Sequence, residues 1–423
     1  MKILVLSLET WRDGTNGGNV LTNMFSGIDA EFAQIYCSSG TPSNKICNRY
    51  FQMTDAMAIR NILQKRPMGR IIEKSETDVA NVEEIDQTIN KVKRLGSHDS
   101  LRVAREIVWT ISDYRNEELK SFVLNFDPDV IFAPHYGVTY MLSLTEYVWE
   151  LTHKPIISYI SDDSYSLKNV NFSPFFWINK FVIRHKTRSV WKNYKLIYTM
   201  TETQKDYMSK LGKPMKILMK SVSFGEIPQK ITVGNPIKIV YAGGIYLNRW
   251  KTLSKLVDAI KEINQGSVKF ILDIYTGNEC KKEIADKLND GVNVYLHPAI
   301  SQEELKLIYH NSDIALHVES FDLKNRLAVR MSFSTKIVDC LSSGCAVMAI
   351  CDEKQGGMVY LRENNAAICI TNQKRIFETL STITNNPGLI LDYAGRAQMC
   401  CSRNHNAEKN KNMILEDFER CSK

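Results

Sequence analysis

The sequence holds no apolar run long enough to cross a bilayer, no C-x-x-C pair and no H-E-x-x-H. The first absence argues against a membrane-spanning protein. The apolar run at residues 3–6 is too short for a signal peptide and reads as a buried first strand, so the cytoplasm is the expected compartment. The ten cysteines are scattered, with Cys400 and Cys401 adjacent, and read as reduced, mostly buried thiols. The eight histidines show no ligand spacing, so neither a structural zinc nor a metal cofactor is expected. Tandem repeats and RNA-binding signatures are also missing, and nucleic acid is not an expected partner. A further shortage is local. Between Ser164 and Thr201 there is no Asp or Glu, but there are Lys168, Lys180, Arg184, Lys186, Arg188, Lys192 and Lys195. Those seven charges equal the whole net charge of +7, so one basic patch needs explaining, not a generally basic protein.

What is present is a soluble globular composition, 44% hydrophobic and 24% charged over 423 residues, enough for two α/β domains. Strand-like runs alternate with segments of helical period. The first half offers KILVLSL, EFAQIYC, DVIFAP, IISYIS and LIYTMT; the second begins afresh with KIVYAGG, then KFILDIYTG, VNVYLH, DIALHVE, CAVMAI and AAICI. Helical patterns lie at 251–263, 302–310 and 335–343, and the charged segment 64–116 reads as one or two helices. Continuous Val/Ile runs separated by helices predict parallel sheets covered on both faces. The turn-rich stretch 225–236 is the expected linker. The domains predicted are therefore 1–225 and 226–395, with a helical tail, 396–423, able to pack back on the first. Doubly wound sheets bind ligands beyond the carboxyl ends of their strands.

Two segments of the second half carry readable chemistry. In ALHVESFDLKNRLAVRMSFSTKIVDCLSSGCAVMAI, Glu319 follows a buried strand. Ser334 can cap a helix whose start presents free amides, the hydroxyls of Ser334 and Thr335, and Lys336, a natural diphosphate site. Asp339, one turn inside, can accept from ribose hydroxyls. In VYAGGIYLNRWKTLSKLVDAI a strand ends in Gly243-Gly244 and a loop supplies Asn248, Arg249 and Lys251. Glycine lets backbone approach phosphate, and a guanidinium binds phosphate oxygens in pairs.

S-T-K-I-V-D-C-L-S-S-G-C-A-V-M-A resembles the nucleotide-binding helix of GT-B glycosyltransferases, especially the retaining family 4-like group. That group carries two acids, commonly as E-x7-E. Glu319 matches the first, which the resemblance places near the transferred sugar, and Asp339 the second, on the ribose. The second acid is Asp here and the loop between them is longer. The loop around Arg249 is similar to the G-R-L-x-x-x-K-G loop whose cations neutralise the leaving diphosphate; Arg249 falls on its Lys, and Gly244 replaces its Arg. N-R-W-K-x-L is similar to bacterial surface-polysaccharide glycosyltransferases. The resemblance implies two Rossmann-like domains facing across a cleft and a sugar moved, with retention, from a UDP- or GDP-type donor to a hydroxyl of a glycan or lipid-linked glycan. No cofactor is implied beyond the donor substrate.

In the first half, Asn16, Gly17 and Gly18 follow the first strand, where the resemblance implies a loop beside the sugar; a plain surface turn is the alternative. His135 and the pair Asp162-Asp163 stand at strand ends. Either aspartate suits an acceptor hydroxyl or caps a turn. After the helix start Ser173-Pro174, the residues Trp177, Phe181, Arg184, Arg188, Trp191 and Lys195 share one face by spacing, leaving Ile178, Val182, Ile183, Val190 and Tyr194 to pack inward. Such a face suits an anionic membrane or a lipid-diphosphate acceptor, with peripheral attachment to the inner membrane face, or forms a solvated edge. Fold does not fix function. A nucleotide-sugar epimerase, a phosphorylase and a non-catalytic membrane-associated binding protein remain rival readings.

Overall fold

Strands built from unbroken Val, Ile and Leu need cover on both faces. In the computed structural model, which describes residues 1–13, 16–72, 99–222 and 230–423 and only the backbone at Asn16, they have it. Ile3, Leu4, Val5 and Leu6 of β1 (Lys2–Ser7) are completely buried. The chain divides into two units. The first comprises Met1–Leu167, Asn171–Leu218 and Lys409–Lys423; the second comprises Lys168–Val170 and Met219–Glu408.

The first unit's sheet adds β2 (Glu31–Tyr36), β3 (Arg49–Gln52), β4 (Arg70–Ile72), β5 (Val130–Pro134), β6 (Ile156–Ile160), β7 (Tyr194–Thr199) and β8 (Met215–Ile217). Their order is β4-β3-β2-β1-β5-β6-β7-β8, parallel throughout except the β3–β4 pair. The second sheet contains β9 (Ile237–Ala242), β10 (Phe270–Tyr275), β11 (Val294–His297), β12 (Ile314–Val318), β13 (Ala346–Ile350) and β14 (Ile368–Ile370). Its order, β11-β10-β9-β12-β13-β14, is that of a nucleotide-binding doubly wound sheet. The order reverses between β9 and β12, and between β1 and β5 in the first sheet. Loops leaving those strands are where a ligand fits.

All six runs read in the second half are strands. In the first half the short strands β3, β4 and β8 went unread, since three or four residues carry too little period to register. The helix at Gln302–His310 has the bounds its pattern predicts. The expected domain junction at 225/226 and part of the segment 64–116 lie outside the described residues. Among those described, that segment gives β4 and the helix Asp99–Ile111. The tail divides: helix Gly388–Asn404 stays with the second unit, and residues 409–423 join the first. There Phe418 lies 6.0 Å from Phe25 and 6.1 Å from Phe132, ring to ring. Asp417 accepts from the Tyr198 hydroxyl at 2.9 Å and pairs with Lys216 at 2.6 Å.

Candidate active site

At the switch point of the second sheet, β9 delivers Gly243 and Gly244, and β12 delivers Glu319. The Glu319 backbone is fixed from both sides, its N–H donating to the Ile350 carbonyl at 3.1 Å and its carbonyl accepting from the Thr252 hydroxyl at 2.8 Å. Its carboxylate grips Arg249, the first residue of the helix Arg249–Ile263, through two bonds of 2.8 Å from Nε and Nη2. Both side chains are largely buried. Two of five guanidinium N–H groups are thereby used, leaving donors for a further anion. Arg249 also lies over the Tyr246 ring, 4.9 Å from its centroid.

Lys336 donates to the Ala242 carbonyl at 3.2 Å, and a Cβ placed on Gly243 would sit only 2.8 Å from its Nζ. Much of its chain is open to solvent, yet the protein around the ammonium, and next the nearby Arg249 charge, lower its pKa. Arg249 and Lys336 thus act on one volume at the β9 terminus. Two cations held near each other leave room for an anion to relieve them.

The loop that carries Asn248 is fastened by residues the sequence reading missed. Asn248 adopts a left-handed conformation, φ 61°, and its amide donates to Asp322 at 3.2 Å. Asn325 donates to the Leu247 carbonyl at 2.9 Å and to Asp322 at 2.8 Å. Burial pushes the Asp322 carboxyl up, but bonds from Ser320, Asn325 and Asn248 outweigh it and bring its pKa down to about 2. Asp322 also caps the helix Leu323–Val329. The D-x-x-N pattern was the available signal.

Several predicted residues stand otherwise. Lys251 is turned away from the site, its ammonium 5.6 Å from the Trp250 ring centre, because it follows Arg249 by half a helical turn. Ser334 occupies the cap position of the helix Thr335–Leu341, but its hydroxyl makes no capping bond, and the helix is only 7 residues long, so its dipole is short. Asp339 is paired with Lys220, which precedes the residues left undescribed, and so is not a free acceptor.

In the first unit, Gly17 donates its N–H to Glu9 at 3.1 Å. A Cβ on Gly18 would fall 1.9 Å from the Arg12 carbonyl oxygen, so the helix Asn16–Phe25 begins hard against that backbone. His135 faces inward. Its Nε2 is 3.3 Å from the Thr187 hydroxyl, its ring meets Trp191 edge-on, and burial lowers its pKa to about 4. It is a neutral core histidine, not one presented to a substrate. Asp163 accepts from the backbone and hydroxyl of Ser166 and so holds a turn, while Asp162 is exposed.

The helix Pro174–Trp191 shows a face other than the expected one. Trp191 is buried, and Trp177 is half-buried, donating to the Asn171 carbonyl at 2.9 Å. Arg184 and Arg188 fold onto Tyr165, whose carbonyl and hydroxyl each accept at 2.8 Å. Phe181 faces solvent as expected, but so do Ile178 and Val182, which were expected inside, together with Phe175, and Phe172 just before them is 97% exposed. Lys195 is exposed as expected. Among the described residues no group of His, Cys, Asp and Glu could hold a metal, and no helix is long and apolar enough to cross a membrane.

Comparison with known proteins agrees with this construction. Residues 252–416 match the glycosyl transferase-like family. No curated protein matches by sequence. Among solved structures, HepE of Anabaena in complex with UDP superposes with a TM-score of 0.63 at 13% identity, covering 99% of this chain and 100% of that one. Sucrose-phosphate synthase of Thermosynechococcus elongatus gives 0.62 at 10%, covering 99% and 98%. The E. coli trehalose-6-phosphate protein bound with UDP-2-fluoro glucose gives 0.60 at 10%, covering 99% of each chain. At such identities these likenesses speak for the fold. The whole chain thus has the GT-B fold of these structures, and its residues 252–416 match the glycosyl transferase-like family.

Proposed function

We propose that the protein is a glycosyltransferase that takes a sugar from a UDP- or GDP-type donor and passes it, with retention, to a hydroxyl of a glycan or lipid-linked glycan in surface-polysaccharide synthesis. The observation that carries the donor reading is the meeting of Arg249, Lys336 and the bare Gly243 backbone at the β9–β12 switch point. HepE and the trehalose-6-phosphate protein, both of this fold, hold UDP or a UDP-sugar, which supports a uridine donor. As the glycosidic bond breaks, charge accumulates on the diphosphate, and the two cations stabilise it. Glu319, at the same strand mouth, accepts hydroxyls of the sugar ring.

The acceptor reading includes a membrane. Phe172, Phe175, Ile178, Phe181 and Val182 are exposed on a segment without any acid, which also carries the exposed Lys192 and Lys195. That combination fits an anionic bilayer, apolar side chains entering the interface and ammonium groups meeting lipid phosphates.

A thermal-shift panel of UDP-, GDP- and ADP-sugars tests the donor site, since a ligand specific to the folded state raises its stability. One nucleotide class should raise the melting temperature, and Lys336→Ala and Arg249→Ala should each abolish the rise. An unchanged shift in both variants removes the site assignment. Donor turnover with no acceptor present would favour the epimerase or phosphorylase reading.

A further inference from the structure

His317 precedes Glu319 by two residues on the line of β12, so both side chains leave the same face of the sheet. The His317 side chain is only 4% exposed, and its Nε2 has no hydrogen-bond partner. That atom is 3.9 Å from Glu319 Oε1, beyond hydrogen-bond range. Burial holds the imidazole neutral, with a pKa of about 4, against the opposing pull of the Glu319 carboxylate, and the charges of Arg249 and Lys336 add to the lowering. A buried polar nitrogen aimed at a carboxylate that another group occupies is costly unless some state of the protein satisfies it.

The Arg249–Glu319 geometry supplies that state. The Nε and Nη2 that grip Glu319 form one of the two edges a guanidinium offers to a phosphate. A doubly charged diphosphate competes for them, and Glu319 cannot be left buried without a partner. We propose that His317 is a positioning residue that takes over the Glu319 carboxylate when a nucleoside diphosphate draws Arg249 away. Closing the gap from 3.9 Å to roughly 3 Å needs a movement of about 1 Å. Nε2–H then donates to Oε1, and the other oxygen stays available to the donor sugar. The inference rests on the donor reading above.

Calorimetric titration with UDP and with GDP distinguishes the two. His317→Leu removes the donor and should weaken binding of the preferred nucleotide about tenfold, while His317→Gln, which keeps an N–H at similar reach, should restore most of the affinity. In a Glu319→Gln background, where no charge needs catching, the His317→Leu loss should shrink below about threefold. Melting of the ligand-free proteins should show no such coupling between the two positions. Should His317→Leu fold poorly, His317→Asn, which lacks the reach, is judged by the same criterion. Wild-type affinity in folded His317→Leu, or in His317→Asn where the leucine variant does not fold, overturns the proposal. If the wild type binds neither nucleotide, the donor reading falls and takes this inference with it.

Discussion

Arg249 has five N–H groups and uses two on Glu319, which makes this pair the pivot of the site. Both residues were legible as candidates because each ends or follows a strand. Their engagement with each other was not, since they are 70 positions apart in the chain. Strand alternation put His317 beside Glu319 in the sequence, yet only burial shows that its nitrogen lacks a partner. Gly243 gives the simplest check at this scale. A methyl group there would lie 2.8 Å from Lys336 Nζ, the end of a flexible chain, and 2.8 Å from the hydroxyl and 2.9 Å from the ring of the buried Tyr241, so Gly243→Ala should fold with some loss of stability. It would nevertheless fill the approach to the β9 terminus. We expect about tenfold weaker binding of UDP by a folded protein of somewhat lower melting temperature. Undiminished affinity would place the diphosphate elsewhere.

Among the elements, the helix Pro174–Trp191 shows where periodicity stops being informative. Both of its faces carry apolar residues, so a 3.6-residue period fits either phase. Packing against the first unit chose Ile183, Val190 and Trp191 for the core and left Phe175, Ile178, Phe181 and Val182 outside. Arginines that looked free are folded onto Tyr165. The membrane proposal therefore rests on the apolar face and the lysines beyond it. Phe175→Glu combined with Phe181→Glu alters two solvent-facing positions and should cost no more than about 0.5 kcal/mol each. The double variant should fail to float with vesicles of phosphatidylcholine and phosphatidylglycerol that retain the wild type. Flotation equal to wild type would discard the bilayer as the partner of this face.

For the whole molecule, three buried histidines set a common acid limit. Burial lowers His135, His317 and His405 to about 4. In the unfolded chain each titrates near 6.5. Between those values the unfolded state binds the extra protons, so stability is complete above about pH 6.5 and falls as pH drops towards 4, by up to about 1.4 kcal/mol per pH unit for each histidine. Asp322, lowered to about 2, acts in a different window: its contribution is lost only as pH falls below its ordinary value of 3.8. Urea unfolding between about pH 7 and pH 4.5 should show the histidine slope, and His405→Gln should reduce it. His405 is the most telling of the three, because its ring is fixed between the Tyr360 hydroxyl and the Lys220 carbonyl, each at 2.8 Å. A flat profile would contradict the neutral burial of all three. By itself the sequence determined the doubly wound sheets and the strand mouths where ligands can sit, because side-chain period and strand-end chemistry are local properties. Which charges pair, which helix face meets water and which histidines are closed off were decided by tertiary structure, since each depends on groups brought together from distant parts of the chain.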